Sequence, residues 1–284
     1  MERVSGLFRI KKILNNNVVI AVHPVFGETV LIGKGLGFHK RAGAVIDEKT
    51  VEKCFVLHDP KEQEQYKQLL NQVDDQLVEV MNEVVQHIQD RFQSPLNEHI
   101  HVALMDHIAF AIKRTEQGLS FHNPFLIETR TLYQKEYQVA EEIVRWINRR
   151  LDVHLPEEEI GFIALHIHSA LTRRHLAELQ KYSKLILKLI RFVENTLGQK
   201  LDKQSLSYMR LVTHLRYAIE RTEKGESISE PEGMNKMLRT QYPLCYTMAW
   251  KLAKVMEKEL NKPVYPAEIS YLTLHLQQLW SDKK

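Results

Sequence analysis

"THLRYAIERTEKGE", residues 213–226, says almost the same thing as "DHIAFAIKRTEQGL", residues 106–119. His107 falls on His214 and Phe110 on Tyr217, and the run Ala-Ile-x-Arg-Thr-Glu-x-Gly matches from Ala111 and Ala218 to Gly118 and Gly225. The likeness continues downstream. "LPEEEIGFIALHIHSAL" (155–171) and "YPAEISYLTLHLQQL" (265–279) each place a proline near a helix start, a glutamate in the first turn, and a Leu-His seven residues after that glutamate. The separations agree, with 59 residues from His107 to His166 and 61 from His214 to His275. Two copies of one helical bundle, each drawing a pair of histidines from distant helices, is the economical interpretation.

Around this repeat the rest of the chain divides. Tyr66, Leu69, Leu70, Val73, Leu77, Val80, Met81, Val84, Val85 and Ile88 recur at three- and four-residue steps, which predicts one long amphipathic helix from about residue 61 to Ser94-Pro95. Before it the period is two. Residues 18–22 and 29–32 are short β-branched runs separated by a Pro- and Gly-punctuated turn, and four short strands fit the N-terminal stretch. So small a sheet buries little on both faces, and pairing with a second copy would help it. "KGESISEPEGMN" (224–235) is a long interhelical loop inside the second copy, and the copies divide near 172–178. The expected architecture is a small antiparallel β-sheet domain (1–60) followed by two homologous all-α bundles (61–174 and 175–284).

Composition bounds the function. The 284 residues are 44% hydrophobic and 26% charged, as in a globular protein. No apolar run approaches the roughly 20 residues of a spanning helix, and MERVSGLFRI lacks an apolar signal region, so a cytoplasmic protein without membrane insertion is expected. Cys54 and Cys245 lack metal-like spacing and fit two reduced thiols. Residues 1–46 hold seven Lys/Arg against Glu2 and Glu28, a net +5, leaving −2 for the rest of a chain whose total is +3. A basic head on a slightly acidic body suits a polyanionic partner, although a solvated basic face has the same composition.

Helical geometry puts Leu104, His107, Ile108 and Ala111 on one face, and likewise Leu211, His214, Leu215 and Ala218. Phe162, Ile163, His166 and Ala170 form a third such face, so these rings lie beside apolar seams, half-buried at most. A packed, hydrogen-bonded histidine is the ordinary reading of any one of them. Recurrence in both copies argues for chemistry. Metal binding would use His166 with His168 or His99 with His101, but residues i and i+2 diverge on a helix and no carboxylate-rich companion motif occurs. A metal-dependent phosphohydrolase would want His followed by Asp, whereas the chain has Asp106-His107. Phosphoryl acceptance by a neutral imidazole needs neither metal nor other cofactor.

In the head, "RIKKILNNNVVIAV" and "LIGKGLGFHKRAG" supply amides at Asn15 and Asn17, a Gly33-Lys34-Gly35 turn where backbone and cation can approach a phosphate, and Phe38 as a ring for stacking on an unpaired base. With "DHIAFAIKR", "EIGFIALHIHSA", "THLRYAIER" and "YLTLHL" in this order, the whole chain resembles the bacterial transcriptional antiterminators of sugar operons, and "LNEHIHVALMDHIAFAIKR" and "NPFLIET" are most similar to the glucose-type members. The resemblance implies an N-terminal RNA-binding co-antiterminator domain and two phosphotransferase-system regulation domains, with no enzymatic activity. It implies that the head binds an mRNA antiterminator hairpin as a homodimer through Lys12, Asn15, Asn17, Gly33, Lys34 and Phe38, preventing terminator formation. Lys34 stands where some members have Arg, which has the fork for a bidentate phosphate contact. By the same resemblance His107 and His166 accept phosphate from the EIIB component of a sugar permease, of glucose type, when the sugar is absent. His214 and His275 receive it from the phosphocarrier protein HPr. His168 is a further candidate in the first copy only, Gln277 standing at the equivalent place.

Overall fold

Strands β1 (Phe8–Ile13), β2 (Val18–His23), β3 (Gly27–Ile32), β4 (Val45–Ile46) and β5 (Lys53–Phe55) form one antiparallel sheet in the order β4-β1-β2-β3-β5. The structure is a computed structural model that describes residues 7–281 apart from 15, 52, 56–63, 66, 67, 71, 98 and 120. The sheet has five strands where the sequence pattern accommodates four, because short segments at residues 45–46 and 53–55 add one strand at each edge. The β2–β3 register runs unbroken from Val18↔Ile32 to His23↔Gly27, while β1 carries a bulge between Ile10 and Lys12. Phe8, Ile10, Val19, Ala21, Leu31, Leu36 and Ile46 pack one face. On the other, Val18, Ile20, Val30 and Ile32 are also buried. The sheet therefore covers both faces of its central strands within a single chain, contrary to the expectation from its size. Each such side chain contributes about 1.5–3 kcal/mol by burial.

From residue 75 on, ten helices follow among the described residues: α1 (Asp75–Phe92), α2 (His99–Glu116), α3 (Leu126–Leu132), α4 (Gln134–Leu151), α5 (Glu158–Thr172), α6 (Leu176–Leu197), α7 (Leu206–Lys224), α8 (Met234–Gln241), α9 (Pro243–Leu260) and α10 (Pro266–Ser281). The long helix expected from residue 61 is interrupted. The chain leaves helical geometry at 72–74, and α1 begins only after Asp74, whose φ of −71° and ψ of 148° are extended. The pair Asp74-Asp75 explains this, since aspartate is a weak helix former that favours helix N-termini. Tyr66, of the predicted stripe, lies outside the described residues. The helix ends at Gln93, in the left-handed region, before Pro95. The polar segment 225–233 is the interhelical connection expected there.

The chain folds as two compact units. One comprises the residues up to His122 together with Gln138–Arg173, the other Asn123–Tyr137 together with the chain from Arg174 on. In the second unit α6, α7, α9 and α10 enclose a core that includes Leu189, Tyr208, Leu211, Leu252 and Leu276. Phe125 and Leu132 join that core, although they lie in the first copy of the repeat. Glu128 of α3 is fully buried there, where its Oε1 accepts from Lys203 Nζ at 2.8 Å and from the Tyr208 hydroxyl. Spatial packing thus divides the chain differently from the repeat. Glu128→Ala leaves the buried Tyr208 hydroxyl without its acceptor and is expected to destabilise the second unit by about 2–4 kcal/mol in urea unfolding.

Candidate functional sites: an N-terminal loop and two histidine pairs

The N-terminal candidates gather at one loop. After β3 the chain turns through residues 34–39, with Gly35 at φ +67°. The loop is tied to the start of β2 by two backbone hydrogen bonds, Gly33 N–H to Asn17 O and Gly37 N–H to Asn16 O, both 2.9 Å. Leu36 anchors it in the sheet core. The Asn17 side chain accepts from Gly35 N–H at 2.8 Å, so its carbonyl already shapes the turn. Lys34 and Lys12 are exposed, and Phe38 is 58% exposed with its ring 4.0 Å from that of His39. A large exposed ring beside cations has the makeup of a nucleic-acid stacking platform. Asn15 lies outside the described residues. Gly33 is buried and serves the loop through its backbone.

In the first unit α2 presents His107 and α5 presents His166, their ring centroids 5.0 Å apart. The apolar face expected around His107 forms, with Leu104, Ile108 and Ala111 fully buried and His107 itself partly exposed. His166 is buried outright, deeper than the sequence pattern implies, because Ile163, Ala164 and Ile167 on the same helix are core residues. Glu159, in the first turn of α5 and fully buried, shares a hydrogen bond with His107 Nε2 at 2.8 Å and also binds the Arg114 guanidinium. His168 is half-buried on the same helix.

The second unit repeats the parts in a different setting. His214 of α7 stacks on His275 of α10 with centroids 3.6 Å apart and planes 20° from parallel. Arg221 grips Glu268 with both arms of its fork, Nε to Oε1 at 2.5 Å and a terminal nitrogen to Oε2 at 2.8 Å. The Arg-Glu pairs are the members of both sites that histidine-centred reasoning leaves out. Their signals were present, since Arg114 and Arg221 lie in the repeated Ala-Ile-x-Arg-Thr-Glu run and Glu159 and Glu268 each stand seven residues before a histidine. A first-turn glutamate reads more simply as a helix-dipole partner.

Three of the four rings are set up as neutral bases. Burial, reinforced by the nearby His107 and His99, pushes His166 down to about 3, and burial with His214 and Arg210 pushes His275 down to about 4. Burial and Arg221 lower His214, while Glu268 acts in the opposite sense. A neutral imidazole keeps a lone pair for a phosphoryl group. The linkage has a definite sign: at neutral pH neither the folded nor the unfolded chain protonates these rings, and below about pH 6.5 the unfolded chain takes up protons first. Stability is therefore expected to fall between about pH 7 and pH 5, read as the urea midpoint, and to fall less in H166Q/H275Q. No group of three or more His, Cys, Asp or Glu positioned to hold a metal ion occurs among the described residues, and no described helix is long and apolar enough to cross a membrane.

Comparison with known proteins sets these sites in context. The CAT RNA binding domain family matches residues 8–64, and the PRD domain family matches residues 82–170 and again 187–279. The "PtsGHI operon antiterminator" of Bacillus subtilis is 52% identical over 276 residues, covering 97% of this chain and 98% of that protein. The "GlcA/glcB genes antiterminator" of Staphylococcus carnosus is 40% identical over 269 residues, covering 94% of each. A crystal structure of GlcT CAT-PRDI shares 57% identity and a TM-score of 0.54, covering 59% of this chain and 99% of that one.

Proposed function

The chain belongs to the antiterminators built from one CAT RNA binding domain and two PRD domains, and from that premise we propose how its two sites work together. It is a transcriptional antiterminator regulated by the phosphotransferase system, and not an enzyme. The metal-dependent phosphohydrolase reading finds no support in these relatives.

The domains are residues 1–60, 61–174 and 175–284, acting in the cytoplasm. Two heads of a homodimer grip one mRNA hairpin through Lys12, Asn15, Lys34 and Phe38, with Asn17 and Gly33 shaping the loop that carries Lys34 and Phe38. Exposed Val22, Val25, Phe26 and Val45 on and beside the sheet offer apolar surface for the pairing. Two weak grips on one hairpin gain effective concentration. When glucose is scarce, the EIIB component of the glucose permease passes phosphate to His107 and His166. When it is plentiful, the permease is drained of phosphate, the rings stay unphosphorylated and the heads stay together. HPr serves His214 and His275.

The observation that carries this reading is the duplicated site itself, a histidine pair beside a buried carboxylate and an arginine. A phosphoryl group adds roughly −1.5 to −2 charges. Beside His107 it meets Glu159 at hydrogen-bond distance, where like charge and burial make the resting arrangement untenable. Transcription in vitro across a terminator preceded by the family's hairpin tests the function. Added unphosphorylated protein is expected to raise read-through, and unchanged termination at saturating protein would refute the assignment.

A further inference from the structure

The arginines of the duplicated sites have no role in the scheme above, and the two copies hold them differently. In the first unit one carboxylate is divided, Glu159 binding Arg114 with one oxygen and His107 with the other. In the second, Glu268 gives both oxygens to Arg221, and His214 turns to stack on His275. The glutamate thus stays on the arginine in both copies, with one oxygen spared for the histidine in the first and neither in the second. Arg221 is also the fork that faces free space, lining with His214, Glu268, Ile228, Tyr271 and Leu272 a pocket of about 210 Å³. The wall contributed by Ile228 belongs to the polar segment 225–233, which is fastened by Tyr265 Oη, just before α10, to Gly225 O and by Tyr271 Oη, within α10, to Ser229 O, at 3.1 and 3.2 Å.

We infer that Arg221 is the receptor for the phosphoryl oxygens of phosphorylated His214, releasing Glu268 to take them. The guanidinium fork that matches a carboxylate bidentately matches two phosphate oxygens in the same way. Buried Glu268 cannot stay close to a group of about two negative charges while both compete for one cation. The charged and titratable groups bearing on His214 are Arg221 and Glu268, and His275 and Arg210 complete the set around the ring pair. In the transfer, a His214 nitrogen lone pair forms the N–P bond as the P–N bond of the donor phosphohistidine breaks. The bonding pair stays on the donor ring, and the proton count is unchanged. Arg221 is then a positioning and charge-stabilising residue in the acceptor, and Glu268 is the plug that occupies it at rest. Arg114 and Glu159 stand in the same relation to His107.

This inference rests on phosphorylation of His214, and its test separates the two. The full-length protein is incubated with phosphorylated phosphocarrier protein, and occupancy of His214 is followed over time by site-resolved mass spectrometry. E268Q, which unplugs the fork, is expected to be phosphorylated several-fold faster than the parent. R221Q/E268Q, a neutral pair that can remain hydrogen-bonded, is expected to be about a hundredfold slower, the effect of removing a preorganised donor from a developing anion. R221K keeps a cation against Glu268 but loses the fork, and is expected to be slower than the parent even if the double variant fails to fold. Equal slowing of E268Q and R221Q/E268Q would mean that the pair only props up the helices, and no slowing in any arginine variant would mean that the fork takes no phosphate; either overturns the inference. A parent protein that takes no phosphate at His214 would instead overturn the reading of the site on which it depends.

Discussion

His107→Asp is expected to silence the protein, lowering its affinity for the hairpin by about a hundredfold or more and abolishing read-through. The magnitude is that of losing a linked second grip, where avidity exceeds either single affinity by about 10²–10⁴. The direction follows from position. An aspartate at 107 places a fixed negative charge on the part of α2 that faces Glu159, which is fully buried and holds its only described cation in Arg114. His107→Gln is the matching control, since a neutral amide can donate to Glu159 without adding charge. It is expected to bind RNA like the parent and to lose the part of the permease's control that acts through His107. An Asp variant that antiterminates constitutively would contradict the scheme.

Phe38→Ala is expected to weaken hairpin binding by about ten- to a hundredfold, corresponding to roughly 1–3 kcal/mol for a base stacked on an aromatic ring. Because this ring is largely exposed and lies against His39, itself an exposed residue, its removal is expected to leave the thermal midpoint of the head unchanged. Asn17→Ala makes the contrast. It deletes the acceptor for Gly35 N–H and so acts by loosening the turn that presents Lys34 and Phe38. Electrophoretic titration at several salt concentrations separates the two residues' roles from those of the cations. Loss of Lys34 reduces the salt slope, whereas loss of Phe38 does not.

Much of this architecture was legible because repetition carries information that a single pattern does not. One histidine beside Leu104 and Ile108 is an ordinary helix feature; the same histidine again beside Leu211 and Leu215, with a second pair in step, is not. Strand periodicity and the Pro-Gly turn located β2 and β3 for an equally local reason. What escaped was set by tertiary packing. Nothing in "NPFLIET" tells that Phe125 and Glu128 settle into the second unit's core, since Glu128's partners Lys203 and Tyr208 are 75 and 80 residues away. Glu159 and Glu268 were visible as first-turn carboxylates, but their bonds to His107 and Arg221 span 52 and 47 residues. Adjacent aspartates at 74 and 75 break a strong apolar stripe, and the spacing of the stripe alone carries no sign of that break.

The most direct test compares one preparation of the protein before and after its first-copy histidines are phosphorylated, measuring subunit mass and hairpin affinity on the same samples. The account predicts a tightly binding dimer that becomes a weakly binding monomer once His107 carries phosphate. Identical mass and identical affinity in the two samples, with modification of His107 verified, would contradict it.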